Sequence, residues 1–367
     1  MIRLKKFLLF TLLIIASLFI ISCGTNDKTN IDEDELLLKE YNGETIPIYS
    51  IHTEKQNKYL SGDYKLASVY GKGTEELSKP AGITIDFSSL VKDSSSYTFY
   101  LDLSDTFSNK SSFVVNEKRI TLYNLMIKKI YYYKVVTSTE ESSIKTFLVN
   151  DDLIRNLDID GVTNARDLGG YKVNGKRINQ GLLYRTSKFN QDESTEVIIT
   201  SSGIDTMVNT LKIKTEVDLR SNDDNEFGGI TSSPLGNSVN YIHIPMESGG
   251  NCILLNKTVL KDLFAVLGNK NNYPLVFHCS IGTDRTGMVS FLVLNLLGVS
   301  EEEIYYDYLF SNFGVIGRMR TPSIIDDYFT TISSAKGESN QEKAYNYLLS
   351  VGVNKDDLDS LVDIMTK

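Results

Sequence analysis

A cysteine followed six residues later by an arginine frames the part of this sequence best equipped for covalent chemistry. The run is Pro274-Leu275-Val276-Phe277-His278-Cys279-Ser280-Ile281-Gly282-Thr283-Asp284-Arg285-Thr286-Gly287. An apolar, strand-like stretch delivers Cys279, and a helical pattern with apolar Met288, Val289, Phe291, Leu292 and Leu294 follows the arginine. Ser280, Ile281, Gly282, Thr283, Asp284 and Arg285 are therefore expected to curl so that successive main-chain N–H groups face inward, which makes an anion nest. The helix beginning near Arg285 adds its own unpaired N–H groups and the positive end of its dipole. Gly282 supplies a conformation or a close approach that a side chain would block. The guanidinium of Arg285 is a planar fork that holds two oxygens of a phosphate at once. The same field favours a thiolate at Cys279. A thiolate beneath a bound phosphorus is placed for in-line attack, giving a phosphocysteine intermediate. His278 is expected to orient the cysteine backbone, and Thr286 to donate to the sulfur as it leaves.

Such a loop must sit where strand ends meet a helix start, the usual place for ligands in α/β sheets. The second half of the chain has that grammar. Strand-like runs at Gly181–Thr186, Thr215–Leu219, Asn240–Pro245 and Leu275–Cys279 alternate with helical patterns at Thr258–Leu267, Thr286–Leu297 and Glu301–Phe310. Glu342–Ser350 and Lys355–Met365 read as closing helices. This alternation predicts an α/β domain over residues 151–367, with a largely parallel central sheet flanked by helices. Residues 45–150 differ. Tyr97–Leu103, Phe113–Val115, Ile120–Leu122 and Tyr131–Val136 are short β-branched and aromatic runs split by Ser, Asn and Lys. That rhythm predicts a small all-β sandwich preceding the α/β domain.

At the start, Arg3, Lys5 and Lys6 precede an apolar run from Phe7 to Ile21. It is short for a membrane span, which needs ~20 residues, and reads as a signal peptide over residues 1–22. Ile20-Ile21-Ser22-Cys23-Gly24 resembles the lipobox of bacterial lipoproteins, which implies lipidation of Cys23 after cleavage. Residues 23–44 then form an acidic tether, and the protein is expected to be exported and anchored by lipid to the bacterial cell membrane, with the catalytic domain outside the cytoplasm.

The loop and its surroundings resemble the bacterial cysteine-dependent protein tyrosine phosphatases, the branch with tyrosine, dual-specificity or phosphoinositide activity. His278 to Gly287 carries the signature. Asn164-Ala165-Arg166-Asp167-Leu168-Gly169-Gly170-Tyr171, Gly181-Leu182-Leu183-Tyr184-Arg185-Thr186 and Val217-Asp218-Leu219-Arg220-Ser221 resemble its other blocks in the right order. The resemblance spans about residues 160–313 and implies a phosphomonoesterase acting on phosphotyrosine, with phosphoserine and phosphothreonine as further targets. Tyr97 to Thr137 is loosely similar to a fibronectin type III or immunoglobulin-like module.

A leaving phenolate or alkoxide needs a proton, so a carboxylic acid must stand over the site. Many relatives place it on a loop that begins with tryptophan, and this chain has no Trp. Asp284, inside the loop, is where the bacterial branch keeps its acid. Asp218, at the end of a predicted strand, is the second candidate, with a salt bridge to Arg220 or Arg166 as its competing role. Asp167 and Arg185 read as a structural ion pair. Phosphoinositide-active relatives carry a lysine at the position of Thr283, which weakens the alternative of a lipid or inositol phosphate substrate. The alternative of another class is a catalytically silent phosphate-binding or adhesion module. A rhodanese-type sulfur transferase fits Gly282 and Thr286-Gly287 less well.

The composition narrows the field further. A net charge of -9 argues against a nucleic-acid partner. Three histidines, at 52, 243 and 278, give no ligand spacing for a metal, and no cofactor is implied. Three cysteines, Cys23, Cys252 and Cys279, are too few for a disulfide scaffold. Cys252 reads as a buried thiol, with a protective disulfide to Cys279 as its rarer reading.

Overall fold

The computed structural model describes residues 46–66, 70–189, 199–223 and 227–367. Cys23 and the whole amino-terminal signal and tether lie outside them. In the first unit, β1 (Ile48–Tyr49), β7 (Lys145–Val149), β6 (Lys129–Val136), β3 (Tyr97–Asp102) and β4 (Ser111–Val115) lie side by side in that order. β2 (Ile83–Asp86) pairs with β5 (Arg119–Leu122) in a separate two-stranded sheet. Alternation decides which faces meet. Ile83 and Ile85 point inward while Thr84 and Asp86 point out, and β3 buries Tyr97, Phe99 and Leu101. Both sheets close on one core that includes Phe87, Phe99, Tyr133, Val135 and Phe147.

The first unit is not purely strands. Helix α1 (Glu54–Leu60) starts at a capping box, in which Thr53 accepts from Gln56 N and Gln56 reaches back to Thr53 N. Its Tyr59 is fully buried, yet in the core of the second unit, where its hydroxyl donates to Tyr306 O at 2.9 Å. Described residues between Thr53 and Ser78 thus pack against elements more than two hundred residues away in the chain.

The second unit is built on a six-stranded sheet. Its order is β14 (Asn240–His243), β13 (Thr215–Asp218), β15 (Leu275–His278), β12 (Leu183–Thr186), β9 (Arg166–Asp167) and β8 (Arg155–Asn156), while β10 (Lys172–Val173) and β11 (Lys176–Arg177) pair as a separate antiparallel hairpin. The four strands from β14 to β12 are parallel, and the two short ones at the other edge are antiparallel. This is the α/β class. Every residue of β12, β13 and β15 is buried, as expected for parallel strands covered on both faces.

Helices α2 (Ser201–Asp205), α3 (Cys252–Asn256), α4 (Leu260–Leu267), α5 (Asp284–Leu296), α6 (Glu301–Phe310), α7 (Ser323–Ile332), α8 (Asn340–Ser350) and α9 (Lys355–Thr366) follow in chain order. The sequence suggested one apolar face for α5. Instead it is buried all round from Arg285 to Leu296, with α7 and α8 among its neighbours. α7 buries Ile325, Tyr328 and Ile332, spaced three and four residues apart, and turns Asp326, Asp327 and Thr330 outward.

Candidate active site

β15 ends at His278, and the chain turns through residues 279–283 into α5. Three successive carbonyls of this turn are held from outside. Lys188 N donates to Ser280 O at 3.0 Å, and Asn164 Nδ2 to Ile281 O at 3.3 Å and Gly282 O at 2.9 Å. The Arg185 guanidinium also donates to Gly282 O, at 2.6 Å. With the carbonyls turned out, the amides are turned in. Among the described residues, the main-chain N–H groups of Ser280 to Asp284 donate to no partner. Main-chain donors left unpaired together are rare in folded proteins, and five in succession at a helix start make a receptor for an anion.

Gly282 is required twice over. Its φ is +72°, and a Cβ there would stand 2.6 Å from Thr186 O at the end of β12. The turn is therefore pressed against the strand that supplies Arg185. That arginine has its own anchor: Asp307 of α6 accepts from Arg185 at 2.6 Å and from Arg166 at 2.7 Å, all three fully or almost fully buried. Burial first, then the neighbouring charge of Arg166, pushes Arg185 down to about 10. The expected pairing of Asp167 with Arg185 does not form. Asp167 instead pairs with Arg155 at 2.6 Å, because Asp307 reaches the inner arginines from the facing helix.

Cys279 lies at the start of the turn and is almost wholly buried. His278 is fully buried behind it. Its Nδ1 lies 3.2 Å from Cys279 O and its Nε2 2.9 Å from Glu216 Oε1, so the ring ties the cysteine's own carbonyl to β13. Arg285 is buried and donates to Met246 O at 3.2 Å. Thr286 Oγ1 is buried with no hydrogen-bond partner among the described residues.

The two candidate acids are placed very differently. Asp218 is fully buried at the end of β13, gripped by the Arg220 guanidinium and by Tyr241 Oη at 3.0 Å. Burial alone would raise its carboxyl, but the charge of His278 and the bonds and charge of Arg220 outweigh it and hold it down at about 2. Both carboxylate oxygens of Asp218 are thus taken up by Arg220 and Tyr241. Asp284 opens α5 with its side chain a third exposed, and Arg320 bridges both of its oxygens at 3.1 and 3.3 Å. Arg320 also donates to Thr283 Oγ1 at 3.1 Å.

Glu216, Asp218 and His278 bring metal-ligand types within 4.8 Å of one another. Their polar atoms are engaged with each other, with Arg220, with Tyr241 and with Ser233, whose hydroxyl donates to Glu216. The arrangement is a buried charge network. Cys252 is fully buried on α3, and burial pushes its thiol up to about 11. Both Cys252 and Cys279 are free thiols.

The model of the tyrosine phosphatase family matches residues 157–366, more than half of the chain. The chain belongs to that family. A Cupriavidus necator protein named "Putative tyrosine-protein phosphatase" is 28% identical over 183 residues, covering 42% of this chain and 63% of that protein. A tyrosine-protein phosphatase of Nostoc commune is 37% identical over 51 residues, 14% of this chain and 17% of its own length. The chain thus spans less than two thirds of the curated relatives it matches. Among solved structures, the core catalytic domain of the PP-IP phosphatase SIW14 from S. cerevisiae, in complex with citrate, is 16% identical. It covers 41% of this chain and 82% of its own, with a TM-score of 0.29.

Within this tyrosine phosphatase family member, sequence reasoning missed Asn164, Asp307, Arg320 and Glu216. Asn164 stood inside a quoted motif, and its φ of +59° is of the kind that favours Asn. Asp307 had a signal too: a lone acid within the aromatic, apolar Ile304–Phe310 run of a helix, which must find a buried cation. Arg320 and Glu216 had none, since only tertiary packing brings them to the loop.

Proposed function

We propose that this protein hydrolyses phosphomonoesters, phosphotyrosine above all, through a phosphocysteine intermediate on Cys279. The observation that carries the reading is the row of unpartnered N–H groups from Ser280 to Asp284, which starts at a buried cysteine and ends at a helix with Arg285 in its first turn. The nest and Arg285 hold three phosphate oxygens, and the Cys279 sulfur attacks phosphorus while the ester oxygen departs opposite it. Asp284 gives that oxygen its proton: like Asp218 it is bridged by an arginine, but its side chain is a third exposed, so solvent can protonate it. Water then attacks the phosphocysteine, Asp284 takes the water's proton, and Thr286 donates to the departing sulfur. Asp218 holds Arg220 and the His278 ring in place and stays ionised.

The first unit, with two sheets around one core, supports reading residues 45–150 as an immunoglobulin-like spacer. Cys23 is proposed as the lipid anchor. Among the described residues no helix is long and apolar enough to cross a membrane. Metabolic lipid labelling that persists in Cys23→Ala would remove the anchor from this account.

The test of the activity is a product screen with the chain from Thr25 onward, against phosphotyrosine peptides, phosphoserine peptides and phosphoinositides. Phosphate release should be fastest from phosphotyrosine and should not need an added divalent ion. Release from phosphoinositides alone would move the substrate to the lipid class.

A further inference from the structure

The residues that shape the loop are themselves held by a segment far outside the family-matched region. Between Gly71 and Ser78 the chain runs as a strap beside residues 312–316. Gly73 N donates to Asn312 O at 2.9 Å, Ile316 N to Gly73 O at 2.9 Å, and Leu77 N to Phe313 O at 2.6 Å. The approach admits no side chain. A Cβ on Gly71 would lie 2.0 Å from Asn312 O, and one on Gly73, whose φ is +74°, would lie 2.8 Å from Ile316 Cγ1.

Two routes lead from this strap to the candidate catalytic loop. By the first, the buried Ser78 hydroxyl accepts from Asn164 N at 3.1 Å, while it donates to Glu76 Oε1 at 2.6 Å. Asn164, in its left-handed conformation, uses its side-chain amide to hold the carbonyls of Ile281 and Gly282. By the second, Asn312, paired through its carbonyl to Gly73, clasps Arg320 with its side chain. Its Oδ1 accepts from Arg320 N at 2.6 Å and its Nδ2 donates to Arg320 O at 2.9 Å. Arg320 in turn bridges Asp284 and bonds Thr283. The routes reach opposite ends of the nest, one at its outward carbonyls and the other at its helix start.

We infer that Gly71–Ser78 is a positioning element of the active site, with Ser78 and Gly73 setting the geometry of residues 281–284 through Asn164 and Arg320. The inference rests on reading that loop as the phosphate site. It gives the amino-terminal half of the chain a part in catalysis that a pure spacer lacks. An unheld carbonyl is free to rotate inward, and each inward rotation removes an N–H from the nest.

The test uses the full chain and compares Ser78→Ala with Ser78→Thr, which keeps the hydroxyl. Amide hydrogen exchange is read over the peptide covering residues 279–285 with tungstate in the nest, so that the loop N–H groups donate to its oxygens and are protected, beside kcat and KM for an aryl phosphate and the thermal midpoint. Ser78→Ala should speed exchange in that peptide about tenfold and lower kcat about tenfold with KM within about twofold, while Ser78→Thr stays within about twofold of wild type throughout. If Ser78→Ala does not accumulate as folded protein, Ser78→Cys, with its weaker acceptor, carries the same comparison. Loop exchange at the wild-type rate in a folded Ser78→Ala or Ser78→Cys chain overturns the inference, whatever the activity does. A wild-type chain that hydrolyses nothing overturns the activity reading alone, because the exchange measurement still decides the positioning.

Discussion

At the end of β13, Asp218 meets a guanidinium, a phenol and a histidine, and this company decides its chemistry. Its carboxyl is held at about 2, below the ~3.9 of an unfolded chain. A depressed folded value contributes stability above pH ~3.9, which is lost as pH falls through 2, on the order of 2 kcal/mol in all. Asp218→Asn should therefore lower stability at pH 7 by about 3 kcal/mol, since it strands the buried Arg220. Urea unfolding should show that gap narrowing below about pH 3, and a gap that widens instead would contradict the pairing. Asp284 differs in its access to solvent: its side chain is a third exposed, beside the nest, though an arginine bridges it too. Asp284→Asn should slow hydrolysis of alkyl phosphates about a hundredfold or more, and of esters of acidic phenols far less, because those leave without a proton. If Asp218→Asn shows that selectivity and Asp284→Asn does not, the acid has been misassigned. Local sequence displayed the loop residues well, since Cys279, Gly282 and Arg285 act through neighbours in the chain. It could not rank the two acids, because Tyr241, His278 and Arg320 reach them only through the fold.

Among the elements, the strand, turn and helix of residues 275–296 were legible because each carries its own signal: a fully apolar strand, a glycine at the turn, and a long apolar run after Arg285. The helix at Glu301–Phe310 was legible as a helical pattern, and the structure adds the capping box formed by Ser300 and Glu303 at its start. β8 and β9, two residues each, were not legible. Their pattern is too short to have a period, and sheet pairing and buried ion pairs hold them in place. The weight on Gly282 is an element-scale matter, because its carbonyl and its missing Cβ both face β12 and its neighbours. Gly282→Ala should leave the fold in place and cut kcat by about a hundredfold, as the turn withdraws from Thr186 O. Near-wild-type kcat in that variant, measured with an aryl phosphate, would show that the turn tolerates another shape.

For the whole molecule, the division at residue 150 that composition suggests is crossed by packing. Tyr59 sits in the second core against Tyr306, Phe310 and Phe313, and the strap at Gly71–Ser78 pairs with residues 312–316. Nothing in the sequence marks these contacts, because backbone pairing across some 240 residues leaves no local pattern. The sequence alone makes residues 151–367 a self-sufficient catalytic fragment. The packing changes that expectation. Removing Tyr59 alone uncovers apolar surface worth on the order of 4 kcal/mol. The fragment 151–367 should unfold at a clearly lower urea midpoint than a chain beginning at residue 46, and should lose most activity. Equal midpoints for the two would mean that the strap only rests on the surface.

The central claim is that phosphate passes through the sulfur of Cys279. The most direct measurement quenches the chain in acid during turnover of an aryl phosphate and maps its peptides by mass spectrometry, alongside Cys279→Ser. The account predicts one phosphoryl group on the peptide that carries Cys279 in the wild type. It predicts none in Cys279→Ser, which should still bind tungstate in the intact nest but turn over at least a thousandfold more slowly. A Cys279→Ser chain that hydrolyses the substrate at the wild-type rate, with no phosphoryl group trapped on the wild type, would contradict it.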